Sequence, residues 1–114
     1  MSWPHKIRVQ VINRSGGVCE GCGKREASDI HHRQFKSRGG KDIIQNAILL
    51  CGFGNNANQG WCHGRAHNDP EAQIDGWTVA SWDDPKSKPV LYRDEWVFLL
   101  DRAPWIEPMG QVSF

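Results

Sequence analysis

Four short motifs between residues 19 and 67 decide the fold: CEGC at residues 19–22, DIHH at 29–32, LLC at 49–51 and CHGRAH at 62–67. All four cysteines of the chain and four of its five histidines lie in these 49 residues. Packing alone rarely concentrates sulfur and imidazole in this way, whereas both groups ligate metals. The motifs therefore predict two neighbouring sites, one that binds a structural metal through sulfur and one that binds a catalytic metal through imidazole.

The four cysteines have the spacing of a structural zinc site. Cys19 and Cys22 form a C-x2-C pair that can hold one tetrahedral ion from a single turn, although redox motifs share this spacing. Cys51 ends a predicted buried strand and Cys62 begins the next segment, which gives four thiolate ligands with Zn–S distances of about 2.3 Å. The ten residues between Cys51 and Cys62 are rich in glycine and asparagine and predict a surface loop.

Two disulfides would be the other way to pair four cysteines. The residues after Met1 contain no apolar run that resembles a signal peptide, and no stretch approaches the roughly 20 apolar residues of a membrane span. We therefore expect a cytoplasmic protein without membrane contacts, whose reduced thiols favour metal ligation over disulfides.

The pattern of apolar residues and turns predicts one α+β domain over residues 1–114. A helix is expected over residues 3–15, with Ser2 as its cap and glycines at its end. Strands are predicted at 27–33 and at 48–51, and the chain from residue 42 leads through Asn46 into the second of them. A second helix should begin at Cys62 and end or kink at the Asn-Asp-Pro of residues 68–70.

The C-terminal part of the chain is predicted to be a structural scaffold without site residues. Residues 76–80, 89–92 and 95–100 read as three strands of an antiparallel extension over residues 76–101, followed by a tail that contains prolines. Residues 69–114 contain nine Asp or Glu against four Lys or Arg, a net charge of −5, whereas residues 1–68 have ten Lys or Arg against four acids, a net charge of +6. The basic half suits a polyanionic partner.

The histidines fall into three groups. His31 and His32 are adjacent on a predicted strand, so their side chains point to opposite faces and cannot have the same role. His63 and His67 are four residues apart on a predicted helix and face the same side, where two imidazoles can bind one metal ion. His5 lies outside the cluster and is predicted to be an exposed surface residue.

Taken in order, DIHH at 29–32, SRGG at 37–40, Asn46, LLC at 49–51 and CH-x3-H at 62–67 resemble the HNH nuclease family. Within that family, the small zinc-braced proteins found in bacteriophage genomes are the most similar. The resemblance covers about residues 17–70. It implies a ββα-metal unit whose ends are stapled by the four-cysteine zinc site, with the N-terminal helix and the C-terminal strands added to it.

The resemblance also implies a role for each site residue. His32 would be the general base that activates water, and Asn46 would hold the hairpin loop so that His32 is correctly oriented. His31, His63 and His67 would ligate the catalytic divalent ion, and His63 belongs to the catalytic set with His32 and Asn46. The cations expected to contact DNA are Arg33, Lys36, Arg38, Lys41 and Arg65.

Elementary chemistry agrees with these roles. Hydrolysis of a phosphodiester needs a base that can take a proton from water near neutral pH, which an imidazole can do. It also needs positive charge at the leaving 3′ oxygen, which one bound divalent cation supplies as a Lewis acid. Imidazole ligands suit Zn²⁺, Ni²⁺ or Mn²⁺, whereas Mg²⁺ prefers oxygen ligands; all four remain candidate ions.

We therefore predict a metal-dependent DNA endonuclease with a one-metal, histidine-base mechanism. The resemblance suggests a nicking or weakly specific phage enzyme, a monomer or weak dimer, that acts in the host cytoplasm beside the terminase during genome packaging. One alternative is a non-catalytic zinc module that binds nucleic acid through its basic loop. A purely structural zinc protein is the other. His32 discriminates between them, since a binding module needs no imidazole beside a metal ligand.

Overall fold

A computed structural model describes residues 3–52 and 61–111. The predicted α+β class is confirmed. The predicted Ser2 cap and nearly all of the predicted loop between Cys51 and Cys62 lie outside the described residues. In chain order, the helices and strands are α1 (His5–Ser15), β1 (Asp29–His32), β2 (Ala47–Leu50), α2 (Cys62–Asn68), α3 (Glu71–Ile74), β3 (Val90–Tyr92), β4 (Glu95–Leu99) and β5 (Ile106–Pro108).

β1 and β2 form an antiparallel hairpin that separates two small cores. In its register, Asp29 pairs with Leu50 and His32 with Ala47. All four residues of β2 are buried, because alternate side chains point to opposite sides and both sides are covered. Ile48 and Leu50 pack among the cysteines and Trp77. Ala47 and Leu49 pack against Val11 of α1 and against Trp3, which precedes that helix.

Both predicted strands of this hairpin are confirmed with small differences in their ends. β1 covers residues 29–32 of the predicted 27–33, and β2 covers 47–50, which begins and ends one residue before the predicted 48–51. Between the two strands, Ile44–Asn46 form a 3-10 turn and bring the chain back towards β1. The predicted helix at Cys62 is confirmed, and it ends at Asn68 before Pro70.

A buried ion pair connects α1 to the cysteine region and to β2. The Arg14 Nη2 atom lies 2.7 Å from Glu20 Oε1, and the two side chains are 1% and 0% exposed. Arg14 also donates to the carbonyl of Ala47, and Glu20 accepts a hydrogen bond from the backbone N–H of Leu49. This arrangement satisfies the buried charges with hydrogen bonds and fixes three segments relative to one another.

The C-terminal strands form a three-stranded antiparallel sheet in the order β3-β4-β5. Strands at 89–92 and 95–100 were correctly predicted as β3 and β4, whereas β5 lies in the predicted tail, where Pro108 occupies an edge strand. The β3–β4 turn contacts the cysteine region, since the guanidinium of Arg93 donates to the carbonyls of Ser15, Val18 and Cys19.

The predicted strand at residues 76–80 is wrong. Trp77, Val79 and Ala80 are buried, but this segment pairs with no strand in the part of the chain that the structure describes. Its polar backbone groups bond instead to residues that follow β1: the N–H of Val79 donates to the carbonyl of Arg33, and the Gln34 side chain donates to the carbonyl of Ala80. None of the described helices is long and apolar enough to cross a membrane.

Candidate metal centres and catalytic site

The four cysteines converge on one point. Their sulfur atoms all lie within 4.8 Å of one another, and those of Cys22 and Cys51 are 4.0 Å apart. Four sulfurs around one zinc ion at about 2.3 Å would be separated by about 3.8 Å, so the cluster fits a tetrahedral zinc site. Cys22 is half-buried and the other three cysteines are buried.

Backbone N–H groups donate to three of the four sulfurs, a contact that favours the thiolate form. The N–H of Cys51 donates to Cys19 Sγ at 3.3 Å, that of Lys24 to Cys22 Sγ at 3.4 Å, and that of Cys62 to Cys51 Sγ at 3.5 Å. A hydrogen bond from the Cys62 thiol, together with backbone N–H groups, lowers the pKa of Cys19 to about 4 despite its burial. Burial nevertheless raises the pKa of Cys51, and the hydrogen bond to Cys19 together with burial raises that of Cys62. Thiolates are the form that binds zinc.

Three imidazoles form the second cluster. The ring nitrogens of His31, His63 and His67 that can serve as ligands lie within 4.8 Å of one another, and the ring centroids are 5.0–5.3 Å apart. His31 comes from β1, and the other two lie one turn apart on α2, as their spacing predicted. The donor set fits one divalent ion with imidazole ligands.

For two of the three imidazoles, a hydrogen bond determines which ring nitrogen is available to a metal ion. His31 Nε2 lies 2.9 Å from the carbonyl oxygen of Trp77; a carbonyl only accepts, so Nε2 carries the proton and Nδ1 has the free lone pair. His63 Nδ1 lies 3.3 Å from Asp29 Oδ2, which leaves Nε2 for a metal by the same reasoning. Such outer contacts orient metal-binding imidazoles in proteins.

Burial and mutual proximity favour the neutral form of two of these imidazoles. Burial, followed by the neighbouring His63 and His67, holds the pKa of His31 well below its usual range. Burial and His63 also lower the pKa of His67. Neutral imidazoles have the lone pair that a metal ion requires.

His32 occupies a different environment from His31, as expected for neighbours on a strand. Its ring stacks on Trp3 with centroids 3.8 Å apart, and its Nε2 lies 2.8 Å from Asp42 Oδ1. Both adjacent histidines nevertheless reach one cavity of about 390 Å³, lined by Ile30, His31, His32, Phe35, Lys36, Ser37, His63 and His67. The proposed base and the proposed ligands therefore face the same space.

Asn46 is fully buried and closes the loop that follows β1. Its Oδ1 accepts a hydrogen bond from the N–H of Gln34 at 2.6 Å, and its Nδ2 donates to the carbonyls of Gln34 and Lys41 at 3.1 and 3.0 Å. These bonds fix the two ends of the loop relative to each other, and none of them reaches His32.

The predicted cations differ in their surroundings. Lys36, Arg38 and Lys41 are exposed on the loop, and the Arg38 guanidinium lies 4.5 Å from the centre of the Phe35 ring. Arg65 is half-buried on α2 and lies 3.5 Å from Asp69. Two of the loop cations also have partners, since Lys36 Nζ lies 3.4 Å from Asp42 Oδ2 and Arg38 Nη1 donates to the carbonyl of Val79 at 3.3 Å.

The prediction that Arg33 contacts DNA is wrong. Arg33 is 0% exposed, and its guanidinium donates to five backbone carbonyls at 2.8–3.4 Å, those of Gln45, Gly76, Pro85, Lys88 and Pro89. It therefore joins the hairpin to residues 76–89. No local sequence pattern could predict these bonds, because the acceptors are backbone groups distant in sequence.

Sequence reasoning also missed three residues around the histidines. Asp29 contacts His63, whereas Asp42 and Trp3 contact His32. Asp29 stands in the DIHH motif, which was the only available signal; Asp42 and Trp3 lie 10 and 29 residues from His32 along the chain.

The family model described as HNH endonuclease matches residues 19–59 of this chain. The match includes Cys19, Cys22, His31, His32, Asn46 and Cys51, and it confirms the resemblance to this family. The remaining predicted ligands, Cys62, His63 and His67, follow the matched segment. No curated protein and no solved structure matches the chain.

Proposed function

We propose that the protein is a metal-dependent endonuclease that hydrolyses DNA phosphodiester bonds, because residues 19–59 match the HNH endonuclease family model. One observation supports this most strongly: three imidazoles within ligand distance of one another and a fourth, His32, line the same cavity. A module that only binds nucleic acid has no need of this combination.

The proposed roles follow from the contacts. His31, His63 and His67 would hold one divalent ion, which supplies Lewis-acid charge at the leaving 3′ oxygen when bound. His32 accepts a proton from a water molecule as the water oxygen attacks phosphorus and the bond between phosphorus and the 3′ oxygen breaks. Asn46 holds the loop beside His32, and the cysteine cluster would bind a structural zinc ion.

The proposal also includes the type of cut, the specificity, the oligomeric state and the cellular setting. One hydrolytic centre favours nicking of single strands unless two copies combine. Weak sequence specificity, a monomer or weak dimer, a cytoplasmic location in a bacterial host and a link to a phage terminase come from the resemblance. A single domain over residues 1–114 is supported by Arg14 and Arg93, which tie α1 and the C-terminal sheet to the cysteine region.

A plasmid-cleavage assay tests the proposal. Supercoiled plasmid is incubated with the zinc-loaded protein and Mg²⁺, Mn²⁺, Ni²⁺, Zn²⁺ or EDTA. The wild type should convert plasmid to open circles in a metal-dependent manner, and His32→Ala should slow this by about 10²- to 10⁴-fold, the usual contribution of a general base. His5→Ala is the matched control, since His5 is exposed and lies outside the cluster.

Two results would contradict the proposal. Equal cleavage rates for His32→Ala and the wild type would show that His32 is not the general base. Absence of cleavage with every ion, while the plasmid still shifts on a gel, would favour the non-catalytic zinc module that binds nucleic acid.

A further inference from the structure

The imidazole of His32 is held on one face and at one edge. The indole of Trp3 covers the face at 3.8 Å between centroids, with the two rings inclined by 16°. Trp3 is itself fixed, since it is 7% exposed and its Nε1 donates to the carbonyl of Ile30 at 3.0 Å. The carboxylate of Asp42 holds the edge, with Oδ1 2.8 Å from His32 Nε2. Stacking and hydrogen bond together fix the plane and the rotation of the ring.

From this arrangement we propose that Asp42 is the positioning residue of His32, and that Asn46 acts on His32 through Asp42. The catalytic consequence rests on the proposed nuclease function. The placement of the ring and the choice of its protonated nitrogen do not depend on the nuclease function.

The hydrogen bond selects one form of the imidazole. An ionised carboxylate only accepts hydrogen bonds, so the 2.8 Å contact requires that His32 Nε2 carries the proton. In the neutral ring Nδ1 is then the unprotonated nitrogen. The hydrogen bond from His32 and the nearby Lys36 ammonium lower the pKa of Asp42, which keeps its carboxylate ionised.

This form is the one that a general base needs. Nδ1 accepts the proton when the O–H bond of the attacking water breaks, the water oxygen bonds to phosphorus, and the 3′ oxygen leaves with its electron pair. The ring is then an imidazolium, whose positive charge lies next to the Asp42 carboxylate. A carboxylate therefore holds the correct tautomer before the step and stabilises the charge after it.

Asn46 reaches this pair through the backbone. Its Nδ2 donates to the carbonyl of Lys41, the residue immediately before Asp42, at 3.0 Å. Within the part of the chain that the structure describes, the Asn46 side chain bonds to Gln34 and Lys41 but makes no bond to His32. Asn46 fixes the end of the loop, and the end of the loop places Asp42 against His32.

The tautomer is the most direct test, because it is read without any cleavage. Long-range ¹H–¹⁵N correlation spectra of the zinc-loaded protein, assigned with His32→Ala, distinguish protonated from unprotonated ring nitrogens. In the wild type, His32 should show a protonated Nε2 and an unprotonated Nδ1. Asp42→Asn should give a mixture of tautomers, because an amide both donates and accepts. Asp101→Asn, an exposed aspartate paired with Arg102, is the matched control and should change nothing.

A protonated Nδ1 in the wild type, or a His32 spectrum that Asp42→Asn leaves unchanged, would overturn the proposal even if the protein cleaves DNA. Conversely, the expected spectra in a protein that cleaves no DNA would support the placement of His32 by Asp42 while the nuclease function fails. The two hypotheses are therefore separable.

Steady-state cleavage of a labelled duplex gives the second test. Asp42→Ala and Asp42→Asn should lower kcat by about 10- to 100-fold, the range for outer partners of functional imidazoles, with KM, zinc content and melting temperature unchanged. Asp42→Glu should restore part of kcat, since it returns a carboxylate to the loop. An unchanged kcat, or a loss that appears only in KM or in the melting temperature, would show that Asp42 acts on DNA binding or folding and would overturn the proposal.

Discussion

The cysteine and histidine clusters meet at the start of α2, where Cys62 and His63 are consecutive, and differ in how they are enclosed. The other histidines lie on β1 and α2, whereas the other cysteines lie before β1 and directly after β2. Three of the four cysteines are buried, and backbone N–H groups contact their sulfurs. The histidines line an open cavity of about 390 Å³ instead.

This difference separates a site that builds the fold from a site that can react. Structural zinc sites have all four positions filled by protein, whereas catalytic sites keep a position for water or substrate. Because α2 carries residues of both clusters, an ion bound by the cysteines would also fix the positions of His63 and His67. Loss of the first site should therefore abolish the second, but loss of the second should leave the first intact.

The largest effect is expected for Cys51→Ser. Zinc binding supplies about 10–16 kcal/mol in zinc-finger peptides, as much as the whole stability of a typical domain, so the variant should lose its zinc and unfold. Zinc content and circular dichroism after purification measure this. An unaltered melting temperature in Cys51→Ser would show that the cysteines do not hold the fold together.

An intermediate effect is expected for His67→Ala. His67 is exposed, so its loss should change the free energy of unfolding by no more than about 0.5 kcal/mol. The affinity of the zinc-loaded protein for Ni²⁺ or Mn²⁺, measured by titration calorimetry, should fall at least tenfold, since even outer partners of metal ligands contribute that much. His5→Ala should leave both quantities at the wild-type value. An unchanged affinity of His67→Ala for these ions would show that His67 is not a metal ligand.

The two clusters also differ in how far they could be predicted from sequence. Close spacing revealed the pairs Cys19–Cys22 and His63–His67, because two ligands a few residues apart meet in a turn or on one face of a helix. Alternation on a strand likewise separated His31 from His32. The α+β class, the two strands of the hairpin and the helix at Cys62 were predicted by the same local rules.

Contacts between distant residues could not be predicted in this way. Arg33 looked like a surface cation because arginine is usually exposed, yet it bonds to carbonyls from residues 45–89. Residues 76–80 have the apolar composition of a strand, but their backbone partners are Arg33 and Gln34 rather than a strand. No role was predicted for Asp42 for the same reason, because the fold of the loop brings it to its partner His32.

The loop that follows β1 provides the smallest effect and the last contrast with the cysteine cluster. Arg38 and Lys41 are exposed on this loop, whereas among the described contacts of the cysteines the one cation near a sulfur is Arg25, 3.8 Å from Cys51 Sγ. If the loop contacts phosphates, the double variant Arg38→Ala/Lys41→Ala should bind DNA more weakly and release about two fewer counterions. The slope of log K against log salt should then become shallower by about 1.8.

A matched double variant separates this effect from a change in net charge. Lys86→Ala/Arg102→Ala also removes one lysine and one arginine, from the acidic C-terminal half, and should leave the slope unchanged. Binding of both variants to a short duplex is measured by fluorescence anisotropy at several salt concentrations. Equal slopes for the two variants would mean that the loop contacts no phosphates, and the cavity would then be approached by DNA from another side. A shallower slope for the loop variant alone would place the phosphate backbone beside His32, where the proposed hydrolysis requires it.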